Sequence, residues 1–188
     1  IASPDYVMVG ADLSGIELRM LAHYLARYDG GRYADILLNG DIHQVNADKI
    51  GISRRDVKTV TYAFLYGASA KKIGHSFDPQ LSEVKAKKKG QEIKSAFVAA
   101  IDGLPELLKA VGERSKSGRI KLIDGREIAV DSPHKCLNYL LQGSAGIIAK
   151  RWMVEANKFE GYKRQLAFVH DELQFETTPD QVNDLKFY

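Results

Sequence analysis

Arg54-Arg55-Asp56-Val57-Lys58-Thr59-Val60-Thr61-Tyr62-Ala63-Phe64-Leu65-Tyr66-Gly67 sets its chemically distinctive side chains, Arg54, Lys58, Tyr62 and Tyr66, four residues apart. In a helix each such step drifts by only about 40°, so the four line one slowly curling face. Thr59, Val60 and Thr61 are β-branched and would also suit a strand. The stripe favours the helix, and Gly67 is a natural stop. Such a face offers positive charge to phosphate oxygens at its N-terminal end and ring surface to a sugar and base further along. A nucleoside triphosphate lying on the helix would use all of it. An amphipathic surface helix with merely solvated cations accounts for the same stripe.

The remaining composition bounds the reading without choosing it. The chain has 188 residues, 45% of them hydrophobic, enough to fill a core in one domain or two small lobes. No apolar run reaches the roughly 18 residues of a membrane span, and the first residues lack the pattern of a secretory signal, so a cytoplasmic, membrane-free protein is expected. Cys136 is the lone cysteine, which leaves no internal disulfide and no cysteine-based zinc site. The net charge of +3 is mild for a polyanion partner. Lys85, Lys87, Lys88 and Lys89 crowd together, either as a solvated helix face or as a contact to a phosphate backbone. There is no Gly-x4-Gly-Lys-Ser/Thr loop, Gly-x-Ser-x-Gly turn or His-Glu-x-x-His pair.

Working outward from the opening helix, Tyr6 to Val9 predicts a strand that stops at Gly10 and leaves Asp12 near its end. Leu18, Leu21, Ala22 and Leu25 then predict a helix, which Ser14 and Glu17 can open as a capping box. A short helix is expected over 33–38, then a turn at Asn39-Gly40-Asp41 leading to His43. Residues 68–101 have a helical pattern with interruptions expected at Gly74, Asp78-Pro79 and Gly90. Another helix follows through Leu104, Leu107, Leu108 and Val111. Asp124-Gly125 between two β-favouring runs predicts a hairpin, with Arg126 just past the turn. A long helix over about 135–158 is expected to bury Leu137, Leu140, Leu141, Ala145, Ile148 and Trp152 and to carry Asn138 and Gln142 on a neighbouring face. Finally Gln165–Val169 and Leu173–Glu176 flank His170-Asp171-Glu172, a hairpin whose tip carries two acids that need cations to compensate them.

Four elements of this order resemble family A (polymerase I-like) DNA polymerases, the bacteriophage branch most of all. They are Asp12-x-Ser-x-x-Glu17-x-Arg, Arg54-x3-Lys58-x3-Tyr62-x3-Tyr66-Gly67, Asn138-x-x-x-Gln142-Gly and His170-Asp171-Glu172; Gly-Asp-Ile-His43 and Gly-Arg126 fit as well. The resemblance implies an α+β fold, an antiparallel palm sheet carrying the catalytic carboxylates with a helical fingers subdomain. The palm would take 1–40 and 113–188 and the fingers 41–112; no motif covers 78–94. The thumb and exonuclease portions of such a polymerase are expected outside this chain.

By the same resemblance, Asp12 and Asp171, with the Leu13 carbonyl, hold two Mg2+ ions, for which Mn2+ can substitute, and Glu172 is an auxiliary acid. His43, Arg54 and Lys58 hold the triphosphate of a dNTP, and Lys58 assists pyrophosphate departure. Tyr62 packs on the sugar, Tyr66 lies near the templating base, and Glu17 excludes a ribose 2′-hydroxyl. Arg126, Asn138, Gln142 and His170 contact primer-template DNA, and a processivity factor is a further partner. The implied activity is DNA-directed DNA polymerisation in phage or bacterial replication. A nucleotide-binding fragment without activity and a single-subunit RNA polymerase are the alternatives, and Glu17 speaks against the second.

Overall fold

The structure, a computed structural model, describes residues 1–158 and 164–183. In chain order its elements are β1 (Val7–Asp12), α1 (Ile16–Asp29), α2 (Arg32–Asn39), α3 (Ile42–Ile50), α4 (Arg54–Leu65), α5 (Ala70–Phe77), α6 (Glu83–Ala100), α7 (Leu104–Ser115), β2 (Arg119–Lys121), β3 (Glu127–Ala129), α8 (Cys136–Asn157), β4 (Arg164–Val169) and β5 (Glu172–Thr177). The class is α+β, as expected. The chain forms two compact units, Ile1–Ile16 with Gly143–Tyr188, and Glu17–Gln142.

The first unit is built on an antiparallel sheet in the order β1-β5-β4. Alternation decides its faces: Val7, Val9 and Ala11 share one side with their partners Thr177, Phe175 and Leu173, all three of which are buried. The other side carries Asp12, Gly10 and Met8 opposite Glu172, Gln174 and Glu176. Its one buried acid is compensated. Glu176 accepts from the Ser3 amide (2.9 Å) and hydroxyl (3.0 Å) and pairs with Arg164 (3.1 Å), whose guanidinium lies 5.0 Å over the Tyr6 ring. The Ser3 contacts and the Arg164 charge hold the Glu176 carboxyl below its usual range.

Contrary to expectation, β1 does not stop at Gly10 but runs through it to Asp12. The glycine is there for room, because the Glu172 carboxylate folds over that position; a Cβ on Gly10 would come 2.9 Å from Glu172 Oε1. Glu172 itself is the first residue of β5, so the turn at the tip of the β4–β5 hairpin is only His170-Asp171. A register shift between Gln165 and Ala167 bulges β4.

The second unit is helical, with a short β2–β3 hairpin where Asp124-Gly125 placed one. Helix α4 buries Val57, Val60, Thr61, Phe64 and Leu65. The β-branched run is accommodated because the threonine hydroxyls bond back one turn, Thr61 to the Val57 carbonyl (2.8 Å) and Thr59 to that of Arg55 (3.2 Å). The Phe64 ring meets Phe97 of α6 (centroids 5.1 Å) and takes the Lys94 ammonium 5.4 Å over its face.

Gly74 and Gly90 were expected to interrupt the helical pattern, and both instead lie inside helices, α5 and α6. They are the contact points of an antiparallel helix pair whose backbones touch. A Cβ on Gly74 would strike the Ala86 carbonyl, and one on Gly90 the Ala70 carbonyl. The break falls only at Asp78-Pro79. In α8, Leu137, Leu140, Leu141 and Ala145 are buried as expected, but Ile147 and Ala149 are buried in place of Ile148 and Trp152, which are half-exposed.

Candidate functional site

In the first unit, register alone brings the two aspartates of the sequence motifs together. Asp12 closes β1 opposite Glu172, and the next backbone amide, Leu13 N–H, donates to the Asp171 carbonyl at 3.0 Å. Strand ends some 160 residues apart in sequence thus become neighbours through an antiparallel ladder. Among the described residues no group of three or more His, Cys, Asp and Glu side chains forms a metal-holding cluster. Two aspartates and a main-chain carbonyl still suit magnesium, which keeps several waters and takes only one or two carboxylates alongside substrate phosphates. Glu172 is turned elsewhere: Gln174 Nε2 donates to its Oε1 (3.2 Å) above Gly10.

His170 has φ 56°, a left-handed conformation for a residue with a Cβ. Such a residue costs about 1–2 kcal/mol, and the two-residue turn holds it there.

In the second unit the α4 stripe is realised as predicted. Ser53 caps the helix by accepting from the Asp56 amide (3.1 Å) and donating back to its carboxylate (2.7 Å). Arg54, Lys58 and Tyr66 are exposed and Tyr62 is half-buried. Tyr62 and Tyr66 stack with centroids 6.5 Å apart and planes 22° apart, and the His43 ring lies 6.1 Å from that of Tyr62, tilted 46° to it. Burial, then the Glu17 charge, raises the Tyr62 phenol, so it stays a neutral donor. Burial, followed by the Arg54 and Lys58 charges outweighing Asp41, lowers His43 below its ordinary value. His43 is therefore a neutral imidazole near pH 7, and its buried Nδ1 has no hydrogen-bond partner.

Glu17 accepts from the Tyr66 hydroxyl at 2.7 Å, which joins the start of α1 to the end of α4. Asn138 reaches the same end: its Nδ2 donates to the Leu65 carbonyl at 2.7 Å, satisfying one of the acceptors that a helix C-terminus leaves open. Gln142, one turn on, is exposed. Arg126 is held within its hairpin, Nε to Asp124 at 2.8 Å.

One side chain to which the sequence analysis gave no role takes part. Asp41 Oδ1 caps α3 by accepting from the amides of His43 and Gln44 (both 3.1 Å), and its Oδ2 accepts from Arg54 Nε at 2.7 Å. The Arg54 hydrogen bond, then the α3 amides, lower the Asp41 carboxyl below its usual range. Asp directly ahead of a helical run is a cap signal that could have been read; its bond to Arg54 spans 13 residues and has no sequence signature.

A family model for DNA polymerase family A matches residues 1–187. The chain is 36% identical over 200 residues to the DNA-directed DNA polymerase of Escherichia phage T7, covering 93% of this chain and 28% of that protein. It is 34% identical over 208 residues to that of Enterobacteria phage T3, covering 97% and 29%. The DNA polymerase I of Mycobacterium bovis is 30% identical over 200 residues, 93% of this chain and 21% of its own length. Among solved structures, the POL domain of Pol1 from M. smegmatis, in complex with DNA primer-template and dNTP, is similar with a TM-score of 0.69 and 25% identity, covering 98% of this chain and 36% of that one. The chain thus spans little more than a quarter of the length of the T7 and T3 relatives. With the paired aspartates and the cationic, aromatic helix both in a region matched end to end but for its last residue, the chain belongs to DNA polymerase family A.

Proposed function

We propose that this chain carries the nucleotide-adding machinery of a DNA-directed DNA polymerase, with 1–40 and 113–188 as palm and 41–112 as fingers. The observation that carries this reading is the pairing of Asp12 and Asp171 at neighbouring strand ends, fastened by the Leu13–Asp171 backbone bond.

Asp12 and Asp171, with the Leu13 carbonyl, would hold two magnesium ions, whose positive charge serves both the attacking primer 3′-hydroxyl and the leaving pyrophosphate of an in-line displacement. The other groups position and neutralise. Arg54 and Lys58 supply fixed charge to the triphosphate of the incoming dNTP, where preorganised donors act without reorganisation. His43, kept neutral, adds an N–H donor rather than a third full charge. Lys58, whose ammonium carries N–H protons, is suited to give one to the departing pyrophosphate oxygen.

The Tyr62 ring offers an apolar face to the deoxyribose, and Tyr66 lies next to it on the side of the templating base. Glu17, tied to Tyr66, crowds a 2′-hydroxyl and so selects deoxyribonucleotides. Gln142, with Asn138, reads minor-groove acceptors that all correct pairs share, which checks shape without reading sequence. Arg126 and His170 face the primer strand, and Glu172, the ladder partner of Asp12, is an auxiliary acid outside the metal ligands.

Primer extension by the full-length protein with magnesium tests the reading. Asp12→Asn and Asp171→Asn are each expected to abolish extension while leaving nucleotide binding in place. Extension that survives either change overturns the metal roles. Nucleotide binding with no extension by the unaltered protein would leave a binding function alone.

A further inference from the structure

We propose that Asp41 is a positioning residue for the triphosphate site, holding Arg54 and the His43 helix in one fixed arrangement through its two carboxylate oxygens. This rests on the reading above that Arg54 and His43 meet the triphosphate.

The division of labour between the oxygens is the argument. Oδ1 accepts from two backbone amides at the start of α3, His43 and Gln44, both at 3.1 Å. That cap fixes the carboxylate plane, so the group is not free to follow a moving partner. Oδ2 then meets Arg54 at 2.7 Å, and it does so through Nε. A guanidinium has five N–H donors in a rigid fork, and engagement at Nε leaves its terminal amino groups for another anion. A carboxylate competing with phosphate for Arg54 would instead take the bidentate end of that fork. Asp41 holds the arginine from the side and leaves the terminal amino groups to the substrate.

Stability alone is a weak reason for this pair. The Arg54 and Asp41 side chains are 50% and 45% exposed. Ion pairs that open to water contribute little to folding. Their linkage does more for geometry: the pair ties the first residue of α4 to the cap of α3, and so sets Arg54 relative to His43. Both face Tyr62 or its stripe on the same helix pair. Without the tether, a long arginine side chain samples many rotamers, and the triphosphate must order it on binding.

The two functions of Asp41 can be separated by substitution. Serine is as good an N-cap as aspartate but too short to reach Arg54, so Asp41→Ser keeps α3 and frees the arginine. Asparagine has one carbonyl oxygen, which cannot serve both the amides and the guanidinium. Steady-state incorporation of a single dNTP by the full-length protein would be measured for Asp41→Ser, Asp41→Asn, Arg54→Ala and the double variant Asp41→Ser/Arg54→Ala, alongside thermal melts.

The expected result for both Asp41 variants is a rise of about tenfold in KM for dNTP, the scale of one weakened charge-assisted hydrogen bond, with kcat changed less than about threefold. Asp41→Ser should keep its melting temperature. In the double variant the serine should add nothing to the KM already raised by Arg54→Ala, because its effect runs through that side chain. A KM unchanged or lowered in Asp41→Ser overturns the proposal; a lowered one would mean that the carboxylate competes for Arg54. If Arg54→Ala itself leaves KM unchanged, the assignment of Arg54 to the triphosphate fails instead, and the positioning role falls with it. Additive effects in the double variant would show Asp41 acting by another route and also overturn it.

Discussion

Gly90→Ala, in the middle of α6, should lower stability even though alanine is the better helix former. On propensity alone the change gains about 1 kcal/mol in a helix interior. The fold reverses the sign. A Cβ at residue 90 would overlap the Ala70 carbonyl oxygen and lie 2.7 Å from that carbonyl carbon and 2.8 Å from the Gly74 nitrogen. All of these are backbone atoms of α5, and none can rotate away. Restoring ordinary contact requires α5 and α6 to part by more than ~1 Å, a gap that already forfeits a quarter to a half of each dispersion contact. Ile73, Ala86 and Ile93, buried at this helix pair, would lose packing. Overpacking of this kind costs about 1–3 kcal/mol, and at a backbone contact the upper end applies. Net of the propensity gain, Gly90→Ala should destabilise by about 2 kcal/mol.

Gly112, in the interior of α7, is the internal control, because a Cβ there meets nothing within 4 Å. Gly112→Ala should therefore keep the propensity gain and stabilise by about 0.5–1 kcal/mol. At about 2–4 °C per kcal/mol for a chain of this size, Tm should fall by roughly 4–8 °C for Gly90→Ala and rise by roughly 1–4 °C for Gly112→Ala. Thermal melts of the two variants beside the parent measure both signs at once. A Gly90→Ala variant that melts at or above the parent would refute the claim that the two backbones touch.

Three further expectations concern the proposed site. His170→Gly releases the positive φ at the hairpin tip and should raise stability by about 0.5–1 kcal/mol, the relief of about 1–2 kcal/mol less glycine's extra unfolded-state entropy, while slowing primer extension; a drop in Tm would mean that the turn holds no strain. His43 has a folded pKa below the ordinary 6.5, so as pH falls from 6.5 the unfolded chain takes up a proton that the folded one refuses. Stability should decline through that window and level off below the folded value, and His43→Gln should flatten the decline; equal slopes between pH 7.5 and 5.5 for parent and variant would contradict the buried neutral imidazole. Glu17→Ala, which also releases the Tyr66 hydroxyl, should increase ribonucleotide incorporation relative to deoxyribonucleotide, read from single-nucleotide extension with each; an unchanged ratio would remove Glu17 from sugar selection.

The local elements were legible because they rest on period and punctuation. The four-residue stripe from Arg54 to Tyr66, the Asp124-Gly125 hairpin and the apolar spacing of α7 are each written within a dozen or so residues, and the structure contains all three. What glycine meant was not legible. Gly10, Gly74 and Gly90 look like breakers in sequence, since a missing side chain suggests a missing element. In the fold the missing side chain is space for the Glu172 carboxylate or for another helix's backbone. That space belongs to residues distant in the chain, so no local pattern could reveal it.

The candidate site divides in the same way. The kinds of group it needs, paired aspartates and a cationic, aromatic helix, stand in the sequence, and motif order alone pointed to their family. Their arrangement was decided by tertiary structure. The antiparallel register sets Asp12 beside the Asp171 turn, and long-range hydrogen bonds tie Asp41 to Arg54, Glu17 to Tyr66 and Asn138 to Leu65. The physical reason is one of range. Helix and turn preferences are settled by neighbours in the chain, whereas a carboxylate's partner is whatever donor the folded backbone carries within 3 Å of it.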